Sequence, residues 1–173
     1  LKKFEFSNMF SYGEDNVVDF TKLNGIVGLF APNASGKSAL LDALAFCLFD
    51  LSTRAVRAND IINKSKTNMH CKLNFEIDGT DYFIEKRGKK NLRSGHVKVD
   101  IDFWMIDENG DTTSLNGDQR RTTQLNIRKV IGDFEDFVLT SMSSQNDSTV
   151  FINKTQKERK ELLSQFMGLK IFD

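Results

Sequence analysis

The sequence is short of the features that staple, anchor or charge a protein. Of its 173 residues only two are cysteines, Cys47 and Cys71, and neither belongs to a C-x-x-C pair or lies near a histidine at metal-ligand spacing. Nothing points to a disulfide or zinc framework, and both thiols are expected to be reduced, buried and inert. No apolar run approaches the ~18 residues that a membrane helix needs, and Leu1-Lys2-Lys3-Phe4-Glu5 carries no signal-peptide core. A soluble, intracellular protein with no membrane partner is expected. Twenty-four basic and 24 acidic residues cancel, so no global field draws the chain to nucleic acid, and any DNA-contacting surface has to be a local patch. No internal repeat or low-complexity tract is present. There is no initiator Met either; with the abrupt stop at Lys170-Ile171-Phe172-Asp173, this leads us to expect a fragment of a longer protein.

What is there suits one compact domain, long enough to bury an apolar core unaided. Leu1–Met9 alternates Lys3 and Glu5 against Phe4 and Phe6, and Val17–Phe20 is short and β-branched, so each reads as a strand. Gly25-Ile26-Val27-Gly28-Leu29-Phe30 is a continuous apolar run of strand length, which predicts a strand buried on both faces. The stretch from Gly36 to Phe49 favours a helix and is apolar nearly all round, which places it inside the domain. Cys71, Leu73, Phe75 and Ile77 alternate with polar residues, Asp78-Gly79 supplies a hairpin turn, and Tyr82-Phe83-Ile84 returns. Val97, Val99, Ile101, Phe103 and Met105 predict the inner face of a second hairpin turning at Asn109-Gly110. From Gln119 to Ile131 the positions Leu125, Ile127, Val130 and Ile131 suit a partly exposed helix closed by Gly132. Further helices are expected over Phe134–Leu139 and after Thr155-Gln156-Lys157-Glu158. The latter four have capping-box spacing, and Leu162, Leu163, Phe166 and Met167 continue an amphipathic face as far as Gly168.

The strongest chemical signal is Ala31-Pro32-Asn33-Ala34-Ser35-Gly36-Lys37-Ser38, set between the apolar strand and the apolar helix as a phosphate-binding P-loop requires. Successive backbone N–H groups from Asn33 to Ala39, with the positive end of the helix, form a concave anion site. Lys37 is expected to reach the β- and γ-phosphate oxygens of ATP, and the Ser38 hydroxyl to ligate Mg²⁺. The pattern G-x-x-x-x-G-K-S asks for glycine where Ala31 stands. The methyl is tolerable if residue 31 lies in the β region and costly if it needs a positive φ. A loop that keeps its shape but has lost nucleotide binding is the alternative.

The segment Gly25–Leu44 resembles the Walker A region of the Rad-fifty and SbcC ATPases and of phage recombination-endonuclease subunits. Ser141-Met142-Ser143-Ser144-Gln145-Asn146-Asp147 is similar to that family's Q-loop, Phe151–Leu169 to its closing helix, and Phe6–Glu14 to its opening strand and loop. The resemblance covers essentially the whole chain. It implies an α/β fold, a P-loop NTPase forming the N-terminal lobe of an ABC-type ATPase head over residues 1–173, with a parallel core sheet, antiparallel hairpins from Cys71 to Leu115 and a helical end. It implies that Gln145 stands near Mg²⁺ and the attacking water. The implied partners are the C-terminal lobe of the same protein, a second head in a homodimer, a metallophosphoesterase nuclease and DNA, and the location is a host cytoplasm if the source is a phage. Two departures bear on the carry-over. Phe10 stands where many members have a basic residue, and Ala34 replaces a common loop glycine. Base contacts in the family fall around Arg54–Ile62, where this sequence shows no readable side-chain pattern.

Other groups are read more plainly. Lys86, Arg87, Lys89, Lys90, Arg93, His96 and Lys98 form a basic cluster around a hairpin connection, expected to be a solvated turn because no aromatic platform is interleaved; DNA-phosphate contact is the alternative. Asp42 on the apolar helix is expected to be a core hydrogen-bond partner, Trp104 to be hairpin packing, and His70 and His96 to serve no metal or nucleophile. No Asp-Glu pair is read as a strand-end acid for magnesium, since the one present, Asp107-Glu108 after Phe103–Ile106, leads into the expected Asn109-Gly110 turn, and neither a Ser-Gly-Gly signature nor a heptad repeat occurs. Hydrolysis therefore needs parts from elsewhere, and weak binding with little turnover is expected of these residues alone. A chromosome-organising SMC or RecF-like clamp, with the same ATP site and no nuclease, is one rival reading. A P-loop small-molecule kinase is another.

Overall fold

The computed structural model describes residues 1–52, 57–134, 137, 141 and 155–160. By internal contacts the chain divides into two compact units, Leu1–Ile131 and Gly132–Asp173.

The first unit is built on strand alternation. Strands β1 (Lys3–Ser7), β2 (Asn16–Asp19), β3 (Asn68–Ile77), β4 (Thr80–Lys90), β5 (Val97–Ile106) and β6 (Thr112–Ser114) make one sheet in the order β2-β1-β3-β4-β5-β6. Every described pairing is antiparallel. Its register aligns Phe4, Leu73, Ile84 and Phe103 in one row across four strands, and all four are buried. Each such side chain contributes ~1.5–3 kcal/mol on leaving water, so a one-residue slip of any strand would expose the whole row. The hairpin turns fall where expected: Asp78 and Gly79 take φ 49 and 80, and Gly110 takes φ 87.

Helix α1 (Lys37–Phe49) covers this row. Nine of its residues are buried, including the run from Ala43 to Phe49, as its near-continuous apolar composition requires. It stops at Asp50, whose left-handed φ of 65 turns its N–H back to the Phe46 carbonyl at 3.0 Å. Asp42 is a core hydrogen-bond partner, accepting from Ser52 Oγ at 2.9 Å. A short helix α2 (Ala58–Ile61) lies by β5, and helix α3 (Arg120–Ile131) packs against β5 and α1. Helix α3 ends at Gly132, φ 83, but its inward face is Thr123, Gln124 and Ile127, while Leu125 is exposed. Polar Gln124 is drawn inside because it finds a partner there: its Nε2 donates to the Leu48 carbonyl at 2.8 Å.

Two expectations are corrected. Gly25–Phe30 is in no strand, and no parallel pair occurs among the described residues. Ile26 is 104% exposed and Phe30 94%, with Val27 and Leu29 also in solvent. Burying those four side chains is worth about 6–12 kcal/mol, and none of the described residues of the first unit covers them. An exposed apolar run of this length is of the kind that marks a contact surface. The second correction concerns Lys86. It occupies a core row between Cys71 and Ile101, its side chain is fully buried, and it is no part of a solvated cluster. On the opposite face of the sheet Arg87 pairs with Glu85 and Asp102. There Phe83 and Trp104 stack at 5.2 Å beneath Lys72, so Trp104 is the hairpin packing that its position in the alternation suggested. Cys47 and Cys71 are free and buried; hydrogen bonding to Cys47 and burial push the Cys71 thiol well up, so it stays protonated and inert.

In the second unit, Phe137 N–H donates to the Asp133 carbonyl and Ser141 N–H to that of Phe137, as in a helix. Thr155 and Glu158 form the expected capping box. The Thr155 N–H donates to Glu158 Oε2 at 2.7 Å and the Glu158 N–H to Thr155 Oγ1 at 3.4 Å, opening the helical residues 156–160. Leu162, Leu163, Phe166, Met167 and Gly168 lie outside the described residues.

Candidate nucleotide-binding site

The phosphate loop begins at Ala31 and feeds directly into α1. Ser35 N–H turns back to the Pro32 carbonyl at 3.3 Å, Ala34 sits at φ 63, and Gly36 at φ 98 with ψ 11. Only glycine suits the last position: a Cβ there would lie 2.7 Å from Ser11 Oγ, and the dihedral is strained for any L side chain. Ala31 is not among the positive-φ residues, so its methyl costs the backbone nothing. The departure from the glycine pattern thus carries no left-handed strain. Ala34, at φ 63, is the position that bears strain.

Gly36 is the N-cap of α1 and offers no side chain to its amides, and the first turn holds no acidic residue. The first turn of any helix carries N–H groups without helical partners. Here the Leu40 N–H is the first to be satisfied internally, by the Gly36 carbonyl at 3.2 Å. The amides of Lys37, Ser38 and Ala39 therefore face outward, next to the positive end of the helix dipole. Ala39 contributes its N–H only, since its side chain is buried. Asn33, Ala34, Ser35 and Ser38 are exposed around the same opening.

Lys37 folds its ammonium back over the loop, donating to the carbonyls of Ala31 at 2.6 Å and Pro32 at 2.8 Å. These acceptors are neutral and solvent-exposed, so a phosphate arriving at the amides offers Lys37 a stronger, charge-assisted alternative. The exposed Ser38 hydroxyl, one residue beyond, is a hard oxygen of the kind Mg²⁺ accepts while keeping several waters. The residues present thus fit a nucleotide phosphate with its magnesium. Gln145, the expected Q-loop residue, lies outside the described residues. So do 54–56 of the Arg54–Ile62 stretch, whose Ile61 and Ile62 are buried and inaccessible to a base.

The far end of α1 is fixed by a buried cation. Lys86 Nζ donates to the Phe46 carbonyl at 2.7 Å, to Asp50 Oδ1 at 3.1 Å and to Gln124 Oε1 at 3.2 Å, 5.0 Å above the Phe46 ring. Arg120 holds the other Asp50 oxygen. Burial alone would push the Asp50 carboxyl up, but Lys86 and Arg120 outweigh it and hold it below the ordinary value. A cation at a helix C-terminus also meets the negative end of the dipole. No groups of three or more His, Cys, Asp or Glu suited to a metal occur among the described residues, in keeping with His70 being paired to Glu85 at 2.8 Å. The signal for Lys86 was available in the sequence: period-2 counting from Ile84 places it in the core.

Comparison with known proteins gives this geometry its setting. The sequence profile of a family described as AAA domain matches residues 3–171. An uncharacterised protein of Acanthamoeba polyphaga mimivirus is 41% identical over 179 residues, covering 100% of this chain and 13% of that protein. The SbcC component of the SbcCD nuclease from Deinococcus radiodurans is 27% identical over 155 residues, covering 88% of this chain and 16% of that protein. A solved structure, described under the ATP-driven dimerization and DNA-stimulated activation of SMC ATPases, superposes with a TM-score of 0.63 at 26% identity. It covers 95% of this chain and 98% of that one. The chain thus spans under a fifth of the length of these curated relatives.

Proposed function

The chain belongs to the AAA-domain family, alongside SMC-like DNA-repair ATPases, and we propose that it is the ATP-binding half of an SMC-like head whose nucleotide state controls access of a nuclease to DNA ends. The observation that carries this reading is the uncapped start of α1 behind a loop whose lysine rests on neutral carbonyls. Such an arrangement has its anion donors in place and its charge ready to move.

In this reading the amides of Lys37, Ser38 and Ala39 hold the β-phosphate, and Lys37 leaves the Ala31 and Pro32 carbonyls for the β- and γ-oxygens. Ser38 and Gln145 would hold Mg²⁺, which would supply positive charge to offset that developing on the phosphates. Gln145 is neutral, with one acceptor and two donors, and so orients water without repelling the phosphates. The acids at described strand ends are engaged locally, Asp19 with Thr21 and Asp107 with the N–H groups of Asn109 and Asp111, so turnover is assigned to the assembled head. The exposed Gly25–Phe30 run is taken to be a strand that the C-terminal lobe of the same protein covers. Its uncovered apolar area and the far greater length of the relatives support that occupant. Two completed heads then dimerise around ATP, and a metallophosphoesterase nuclease and DNA are the partners of the assembly. An intracellular location belongs to the same reading; among the described residues no helix is long and apolar enough to cross a membrane.

An SMC or RecF-like clamp would share every feature of the ATP site and differ in lacking the nuclease, so co-purification with a metallophosphoesterase separates the two. The direct test is ATP turnover by this chain, by the separately expressed C-terminal half and by the mixture. Turnover confined to the mixture and lost in Lys37→Ala is expected. Steady turnover by this chain alone, abolished in Lys37→Ala, would contradict the divided site and point to a self-sufficient kinase-like enzyme.

A further inference from the structure

The loop between β1 and β2 reaches the phosphate loop from behind. Tyr12 Oη donates to the Gly36 carbonyl at 3.1 Å, across 24 residues of sequence. That carbonyl already accepts the Leu40 N–H and uses its second lone pair for the tyrosine. The tyrosine is itself fixed from three sides. Its ring meets the buried Phe6 edge-on at 5.0 Å, its N–H donates to the Met9 carbonyl at 2.9 Å, and its carbonyl accepts from Asn63 Nδ2 at 3.0 Å. Ser11 Oγ, beside it, occupies the space that a side chain on Gly36 would need.

The peptide joining Gly36 to Lys37 is planar and trans, so its C=O and N–H point in opposite directions. Fixing the carbonyl toward Tyr12 therefore fixes the Lys37 N–H away from it, toward the open side where a phosphate would sit. We infer that Tyr12 is a positioning residue for the phosphate site, its hydroxyl setting the Gly36–Lys37 peptide so that the Lys37 amide is aimed at the anion before nucleotide arrives. The inference rests on the ATP-binding reading above and adds to it a residue outside the loop motif. Burial pushes the Tyr12 phenol up from its ordinary value, so the hydroxyl is protonated and able to donate throughout the neutral range.

The test uses the full chain, with Mg-ATP and, separately, inorganic pyrophosphate as probes in calorimetric titrations. Tyr12→Phe keeps the ring against Phe6 and removes only the donor; it is expected to lower the affinity for both probes about three- to tenfold, the scale of one net hydrogen bond. The melting temperature should hold within a few degrees, and the Lys37 amide cross-peak of the free protein should move. Replacing Tyr12 by difluorotyrosine, whose hydroxyl ionises near neutrality, should make ATP affinity fall as pH rises through that ionisation, a dependence that a purely structural ring would not produce. Unchanged affinity in Tyr12→Phe and a flat pH profile for the fluorinated protein, while Lys37→Ala abolishes binding, would overturn the role of Tyr12 and leave the ATP site standing. Binding that survives in Lys37→Ala would remove both.

Discussion

Replacing Lys86 by methionine tests whether the buried cation holds the phosphate-loop helix in place. Methionine matches the aliphatic stem and removes three hydrogen bonds at once, to the Phe46 carbonyl, Asp50 and Gln124. Taking one partner out of a buried ion pair costs ~3–5 kcal/mol, mostly because the other charge is left uncompensated. Here the damage is partly contained. Asp50 keeps Arg120, its side chain is 22% exposed, and the Phe46 carbonyl still receives the Asp50 N–H. The lower end, about 3 kcal/mol, is therefore expected, which for a chain of this size corresponds to a fall in melting temperature of roughly 6–12 °C. Urea titration followed by circular dichroism gives the free energy directly, with the slope reporting any change in the unfolding unit. Gln124→Ala, which removes one acceptor and the contact to Leu48, should cost less. A Lys86→Met protein within 1 kcal/mol of the parent, or more stable than it, would refute the assignment of Lys86 as a structural cap on α1.

Three further outcomes follow from the same structure. The Asp50 carboxyl is held below its ordinary value in the folded state, so its stabilising contribution is complete above about pH 3.9 and is lost as pH falls through the lower folded value. The stability difference between the parent and Asp50→Asn should therefore be constant near neutrality and shrink in acid, and a difference that grows on acidification would reverse the sign of the argument. Ala34→Gly relieves a left-handed alanine at φ 63, worth ~1–2 kcal/mol in strain and offset in part by the freer unfolded chain. Mg-ATP affinity is expected to rise about two- to fivefold with little change in melting temperature; a weaker site would show that the methyl is used. Phe30→Ser, at a side chain 94% exposed, should alter the stability of this chain by less than ~0.5 kcal/mol yet weaken its association with the C-terminal half in a pull-down or titration, and equal association would mean that Phe30 is not covered there.

The hairpins, the helix of the phosphate loop and the loop itself were legible because each has a local cause. Asp78-Gly79 and Asn109-Gly110 turn the strands, Phe4 and Phe6 alternate with charges, and Gly36-Lys37-Ser38 stands at a helix start. Gly25–Phe30 misled because an apolar run reports that a segment wants covering, and says nothing of whether the covering surface is on the same stretch of chain. Lys86 was misread for a related reason: charge suggested solvent, whereas strand periodicity put it in the row of Cys71 and Ile101, and a register rule outranks composition when acceptors stand inside. Helix α3 shows the same competition, with Gln124 buried and Leu125 exposed, because the last carbonyls of α1 need donors. Tyr12 left no sequence signal, since its partner lies 24 residues away and is a backbone atom.

The measurement that bears most directly on the account is calorimetric titration of Mg-ATP into this chain and into Lys37→Ala, each with and without the C-terminal half. Weak binding by the chain alone, tighter binding when the C-terminal half is present, and loss of both in Lys37→Ala are expected. Absence of binding by the parent in either setting, or binding indifferent to Lys37, would contradict the ATP-binding reading.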